Sequence, residues 1–259
     1  MREPPPYVPG HELLAGKTVL ITAAAGAGIG FAAAKRCVEE GARLMISDIH
    51  ERRLNEAADR LADLAGARPA SQLCNVTDEA QVQALVEAAV AELGHIDVLI
   101  NNAGLGGMTP LVEMSDDEWH RVIDVSLTGT MRMMRATLRH MIQRNAGVIV
   151  NNASVLAWRA QAGQAHYAAA KAGVNALTRC AAIEAAPHNI RINAVSPSLA
   201  MHPFLAKTSS PELLEQLMAK EAFGRAAEPW EVANTMVFLA SDYSSYMTGE
   251  VVSVSSQRA

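Results

Sequence analysis

Short apolar runs and amphipathic stretches alternate along the whole chain. The runs lie at Lys17–Thr22, Arg43–Ser47, Leu73–Val76, Ile96–Asn101, Val148–Asn152, Arg191–Val195 and Glu250–Val254. They are rich in Val, Ile and Leu and lack strict polar alternation, as expected of strands covered on both faces. Between them, apolar residues recur with helical spacing. The first helix is predicted over Ile29–Glu40, stopping at Gly41; the next from Glu51 to about Ala65, and a third over Glu79–Leu93, stopping at Gly94. Ser115 reads as an N-cap, with Asp116, Asp117 and Glu118 in the first turn, opening one long helix to about Gln143. Another helix ends before Pro187, and a last one runs over Pro229–Ser241. This rhythm, with no shift in composition, predicts one α/β domain over residues 17–259, a doubly wound parallel sheet with helices on both faces. Residues 1–16, with Pro4, Pro5 and Pro6, read as an arm on the surface or against a neighbouring subunit. The irregular stretch 198–224 breaks the rhythm after a strand's carboxyl end, where a lid belongs.

Chemistry concentrates at the predicted strand ends. Tyr167 and Lys171 are four apart on one helix and share a face. An ammonium near a phenol lowers its pKa, and Ser154 upstream could orient a carbonyl or alcohol against it. The trio forms a general acid/base site for chemistry at a C–O bond. After the first strand comes Thr22-Ala23-Ala24-Ala25-Gly26-Ala27-Gly28-Ile29-Gly30, whose small residues let the backbone approach a pyrophosphate at a helix N-terminus. Asp48 ends the second strand where a carboxylate accepts from ribose hydroxyls and repels a 2′-phosphate. NAD is therefore expected over NADP. The competing role for Asp48 is an acidic cap, with Glu51, on the next helix. Asn101-Asn102-Ala103-Gly104 closes the fourth strand; its small residues leave room for a flat ring, while Asn101 ties backbone.

Bulk properties narrow the classes. The 259 residues carry a net charge of −5 with no basic stripe, which argues against nucleic acid and anionic membranes as partners. The apolar runs are too short to cross a bilayer, and the N-terminal stretch lacks the apolar core of a signal peptide. Cys37, Cys74 and Cys180 are isolated, pointing to reduced thiols in a cytoplasmic protein. The eight histidines show no metal-ligand spacing, so no metal site is predicted.

With the loop Gly26–Gly30, the stretch Asn101–Gly104, Ser154, Tyr167, Lys171 and the run Asn193–Pro197, the chain resembles the short-chain dehydrogenase/reductase family over nearly its whole length. The resemblance implies a Rossmann-type fold with a seven-stranded parallel sheet and a homotetramer or homodimer. It makes Tyr167 the acid/base, Lys171 the holder of the nicotinamide ribose and Ser154 the binder of the reacting oxygen. It places Ser126 in the proton relay, where the family generally has asparagine. It assigns Thr22, Gly26, Gly28, Ile29, Gly30, Asp48, Asn75, Val76, Asn102, Ala103, Gly104, Pro197, Ser198, Ala200 and His202 to the cofactor. Departures cluster in the same region. Ala23 replaces a usual glycine in a loop one residue longer, Asn75 a usual aspartate, Ser198 a glycine and His202 a threonine. Ser255-Ser256-Gln257 stands for Asp-Gly-Gly.

An apolar lid sequence (Leu199, Met201, Phe204, Leu205, Leu213, Leu217, Met218 and Phe223) predicts a bulky hydrophobic substrate. Arg159, Lys207, Lys220 and Arg225 are candidates for an anionic handle such as the phosphates of coenzyme A. The phosphate loop, the segment after Asn151 and the stretch Ser241–Glu250 are similar to those of actinobacterial family members linked to sterol ring catabolism on CoA thioesters. An NADPH-dependent 3-oxoacyl-thioester reductase is the alternative enzyme, and a catalytically weak dinucleotide sensor or scaffold the non-enzymatic one.

Overall fold

The computed structural model describes residues 3–202, 205 and 211–257. Its strands are β1 Thr18–Ile21, β2 Arg43–Asp48, β3 Ala70–Leu73, β4 Val98–Asn101, β5 Gly147–Asn152, β6 Ile190–Pro197 and β7 Val251–Val254. They form one seven-stranded sheet in the order β3-β2-β1-β4-β5-β6-β7, and every pairing is parallel. The helices are α1 Ile29–Glu39, α2 Glu51–Ala65, α3 Glu79–Leu93, α4 Asp116–Ile123, α5 Gly129–Arg144, α6 Ala165–Ala185, α7 Pro211–Ala219 and α8 Pro229–Ala240.

Two cores sandwich the sheet. On one face Ala33, Leu54 and Val232 bring α1, α2 and α8 against β1, β2 and β4. On the other, Val82, Met133 and Ala181 bring α3, α5 and α6 against residues of the same sheet, Leu20, Leu99 and Ile149. The order in which strands are added reverses between β1 and β4, so their carboxyl ends frame the crevice where open α/β sheets bind ligands.

The structure departs from the sequence reading in two places. The third strand is Ala70–Leu73, ahead of the apolar run, because Cys74 and Val76 are buried in the turn toward α3 rather than in a strand. The helix predicted from Ser115 is broken by a π-helical turn over Asp124–Thr128. Ser115 does cap α4, accepting from the Glu118 N–H at 3.2 Å. The extra residue of a π turn re-phases the helix beyond it, setting α5 so tightly on the sheet side that a Cβ on Gly129 would lie 2.6 Å from Val76. The N-terminal arm takes the first of the two places expected for it, the surface of its own chain. Tyr7 bonds Glu39 and stacks edge-on with Trp230 of α8 at 5.3 Å. The N–H groups of His11 and Leu13 donate to Glu40 at 2.8 and 3.0 Å, and Glu40 is fully buried in an ion pair with Arg36 at 2.6 Å.

Candidate active site

The phosphate loop is held from inside. Thr22 is buried, and its hydroxyl accepts from the N–H groups of Asn102 and Ala103 at 3.0 and 3.1 Å, locking the end of β1 to the end of β4. Asn102 donates to the Ala23 carbonyl at 3.0 Å and accepts from Asn152 at 2.9 Å. Ala23 adopts φ +50°, the left-handed region where the family's glycine would be at ease. The Ala24 N–H donates to the Ser47 carbonyl at 2.9 Å and helps hold that turn. Gly30 must be glycine: a Cβ there would stand 2.1 Å from the Ala23 oxygen and 2.4 Å from Asn102. Gly26 reaches φ +92° at the loop tip, and its carbonyl accepts from Arg60 of α2 at 3.1 Å. Gly28 and Ile29 open α1. The ring of His202 comes within 4.0 Å of where a Gly28 Cβ would lie, so the chain after β6 closes over the loop.

Asp48 does not cap α2. The cap position is His50, and the Asp48 carboxylate accepts from the N–H groups of His50 at 3.0 Å and Ala25 at 3.3 Å. It thus fastens the far side of the phosphate loop. Burial pushes its carboxyl above the usual range, opposed by Arg53 and by the N–H groups of Ala25 and Ile49; Arg53 lies 3.8 Å away. Asn75 spends its side-chain oxygen on Thr77, at 3.1 Å from the N–H and 2.9 Å from the hydroxyl. Val76 beside it is buried. On the other flank, the Ser198 N–H donates to the Val254 carbonyl at 3.1 Å, and the Met201 N–H to Ala227 at 2.9 Å. Ala200 bridges Ala227, continuing from Pro197 at the end of β6. These positions fit a dinucleotide: small residues line a cradle, a helix N-terminus ends it, and a carboxylate marks its far edge.

The acid/base trio converges at the other end. Tyr167 and Lys171 sit in the first two turns of α6, and Ser154 follows β5 with its oxygen accepting from the Leu156 N–H at 3.2 Å. Burial pushes the Tyr167 phenol up to about 12, opposed by its hydrogen bond with Ser154. Burial pulls Lys171 down to about 8. The sequence expectation was a depressed tyrosine. From the chain's own groups the direction is the reverse. The Lys171 ammonium stands 5.5 Å from the centre of the Tyr167 ring and donates to the Asn152 carbonyl at 2.6 Å, while desolvation dominates both groups. Gly104 makes room for Lys171: a Cβ there would lie 3.3 Å from its Nζ and 3.8 Å from the Ser126 hydroxyl. Ser126 is fully buried in the π turn. Its hydroxyl accepts from the Leu105 N–H at 2.9 Å and donates to the Leu105 carbonyl at 2.8 Å, so it braces the loop that passes Tyr167.

Asn152 is the residue the sequence reading passed over. It holds Lys171 by its carbonyl and Asn102 by its side chain. The signal was the repeated Asn-Asn at the ends of β4 and β5, where Asn101 pairs in register with Asn151. Asn101 itself is scaffolding, donating to Asn151 at 3.2 Å. Among the proposed anionic handles, Arg225 is committed to Glu231 by bonds of 2.7 and 2.8 Å, and Arg159 donates to Gln257 at 2.5 Å. Phe204 and Lys207 lie outside the described residues.

A crevice at the topological switch, a glycine-lined phosphate loop and a convergent Ser-Tyr-Lys group define a nicotinamide dinucleotide-dependent oxidoreductase. The family model described as enoyl-(acyl carrier protein) reductase matches residues 23–256. A Mycobacterium tuberculosis protein is 63% identical over 98% of this chain and 97% of its own; it is named (5R,7aS)-5-hydroxy-7a-methyl-1-oxo-2,3,5,6,7,7a-hexahydro-1H-indene-carboxyl-CoA reductase. A cis-4-hydroxycyclohexanecarboxylate dehydrogenase of Sinomonas cyclohexanicum is 41% identical over 94% of this chain and 96% of its own. The crystal structure of a short chain dehydrogenase from Mycobacterium smegmatis, 58% identical, superposes with a TM-score of 0.88 over 99% of each chain. This chain belongs to the short-chain dehydrogenase/reductase family and is an alcohol dehydrogenase/ketone reductase of that family. No helix among the described residues is long and apolar enough to cross a membrane.

Proposed function

We propose that the protein interconverts a secondary alcohol and a ketone on a bulky, ring-containing substrate carried as a CoA thioester, with NAD as cofactor. The observation that carries the reaction is the convergence of Ser154, Tyr167 and buried Lys171, with the Lys171 ammonium 5.5 Å from the Tyr167 ring centre and held by the Asn152 carbonyl. The Ser154 oxygen accepts from the Leu156 N–H, which fixes it beside the phenol. Together the two hydroxyls grip one substrate oxygen, and Tyr167 gives that oxygen a proton in reduction or takes it in oxidation. When bound, the nicotinamide supplies or receives the hydride at the carbon. Lys171 would hold the ribose hydroxyls of a bound dinucleotide, and its ammonium favours the phenolate. The resemblance of Ser126 to a relay position translates here into bracing Leu105, and a water would carry the proton onward.

Asp48 supports NAD: its carboxylate retains acceptor capacity for a ribose diol and opposes a 2′-phosphate. The named substrate of the 63% identical relative supports a bicyclic thioester. The test is steady-state kinetics with NADH and NADPH against a bicyclic ketone as its CoA thioester and as the free acid. We expect NADH with the thioester to give the highest kcat/KM. Preference for NADPH, or for a linear 3-oxoacyl thioester, would overturn the corresponding part of the proposal.

We also propose a homotetramer. Ala182 and Ala185 are spent on the sheet, but Ala172 and Ala176 are exposed on α6, in line with Ile183, which is 77% exposed. Such a smooth stripe with an apolar tip fits a second copy of itself. A monomer by light scattering at micromolar concentration would sink this assignment.

A further inference from the structure

The end of the chain is fastened to the substrate side of the site by a carboxylate that sequence reading did not single out. Glu221 follows α7 and is only 3% exposed. Its Oε2 accepts from the Ser256 N–H at 3.2 Å and from the Ser256 hydroxyl at 2.9 Å. The Ala222 N–H donates to the Ser256 carbonyl at 2.5 Å, and Glu221 and Gln257 form an antiparallel bridge. Gln257 accepts from Arg159, five residues past Ser154. Val254, just before this tail, accepts from Ser198 at the end of β6. One short tail thus ties together the base of α7, the loop after Ser154 and the chain leaving β6. The three residues that replace the family's Asp-Gly-Gly are the ones engaged: Gln257 donates its N–H to the Ser255 hydroxyl at 3.0 Å, completing the turn.

Glu221 also lines a cavity of about 150 Å³ shared with Ser198, Phe223, Arg225 and Ser255. Its second oxygen, Oε1, is buried without a hydrogen-bond partner among the described residues. A buried carboxylate with one oxygen unsatisfied is costly, so its place at the base of α7 has to return something.

We propose that Glu221 and Ser256 are specificity-determining positioning residues: they latch the chain's end onto the base of α7 and so fix the wall against which a bulky ring substrate is held. The proposal rests on the ring-ketone reading of the site. It assigns no role to the latch in holding the dinucleotide, because neither Glu221 nor Ser256 bonds the phosphate loop or Asp48.

Two measurements test it. In kinetics with the bicyclic ketone thioester, Glu221→Ala and Ser256→Ala should each raise KM roughly tenfold, with kcat and the cofactor Kd within about twofold. Glu221→Gln keeps an acceptor for Ser256 and should restore most of the loss. Equal falls in kcat and cofactor affinity, or no rescue by glutamine, would make the pair ordinary packing and overturn the proposal. The second measurement needs no substrate. Amide hydrogen exchange over 211–225 should quicken roughly tenfold in Ser256→Ala and in the milder Gln257→Leu, while amides of β1 and α1 keep their rates. Unchanged exchange over 211–225 would overturn the latch. If the parent enzyme turns over no ring-ketone thioester but exchange responds as expected, the substrate reading fails and the latch stands.

Discussion

The two halves of the crevice are built on opposite plans. On the dinucleotide side, polar groups are paired within the protein: Thr22 and Asn102 join β1 to β4, Asp48 holds the loop by two N–H groups, and Asn75 turns back on Thr77. On the catalytic side, half-buried Tyr167 and buried Lys171 have few partners, and both are shifted away from their charged forms. The first plan gives a rigid cradle whose shape precedes its ligand. The second stores chemistry as desolvation, to be released when a charged or hydroxylated ligand arrives.

The contrast can be broken most severely at the phenol. Tyr167→Phe should lower kcat by ~10²–10⁴ while cofactor affinity, measured by binding titration, stays nearly intact. Near-native turnover would mean that the proton comes from elsewhere.

A second test separates desolvation from pairing through pH. Lys171 has a folded pKa of about 8 against an ordinary 10.5. Between those values the unfolded chain binds the extra proton, so stability should rise with pH from about 8. Tyr167, raised from 10 to about 12, retains its proton in the folded state and reverses the trend above pH 10. From pH 8 to 10 the parent should therefore gain up to about 2 kcal/mol that Lys171→Met lacks. Thermal melts of both proteins across that window would show the difference; parallel curves would refute it.

The dinucleotide side should yield less. Asp48→Ala should weaken NAD roughly tenfold and narrow the gap to NADP, read from the two dissociation constants. The smallest effect belongs to Ala23. Glycine there relieves a left-handed alanine but frees the unfolded chain, leaving a net gain of about 0.5 kcal/mol in a denaturant titration.

The two halves were not equally legible. The glycines, the trio and the alternation of elements stand in the sequence because backbone approach, helical spacing and two-sided burial each leave a local pattern. α2 and α3 begin and end where their apolar spacing and Gly94 put them. The edge strand Ala70–Leu73 lacks an apolar run because it is half-exposed, and the eye slides on to buried Cys74 and Val76. The π turn adds a residue without altering composition. The direction of the Tyr167 shift depends on how deeply α6 is buried, and Glu221 meets a partner 35 residues away. Neither leaves a mark in local spacing.

The docked arm has a consequence for the order in which the chain folds. Tyr7, Val8 and Pro9 find their seats on α1 and on Trp230, more than two hundred residues further along the chain. Arg36 and Glu40 must wait, buried charge facing buried charge, until the arm's carbonyls and N–H groups come down on them. The arm thus settles only after α1 and α8 have met. Quenching between Tyr7 and Trp230 would report completion of the fold rather than its start, and a bulky fusion placed ahead of residue 3 would delay that final step while leaving the sheet to form on time.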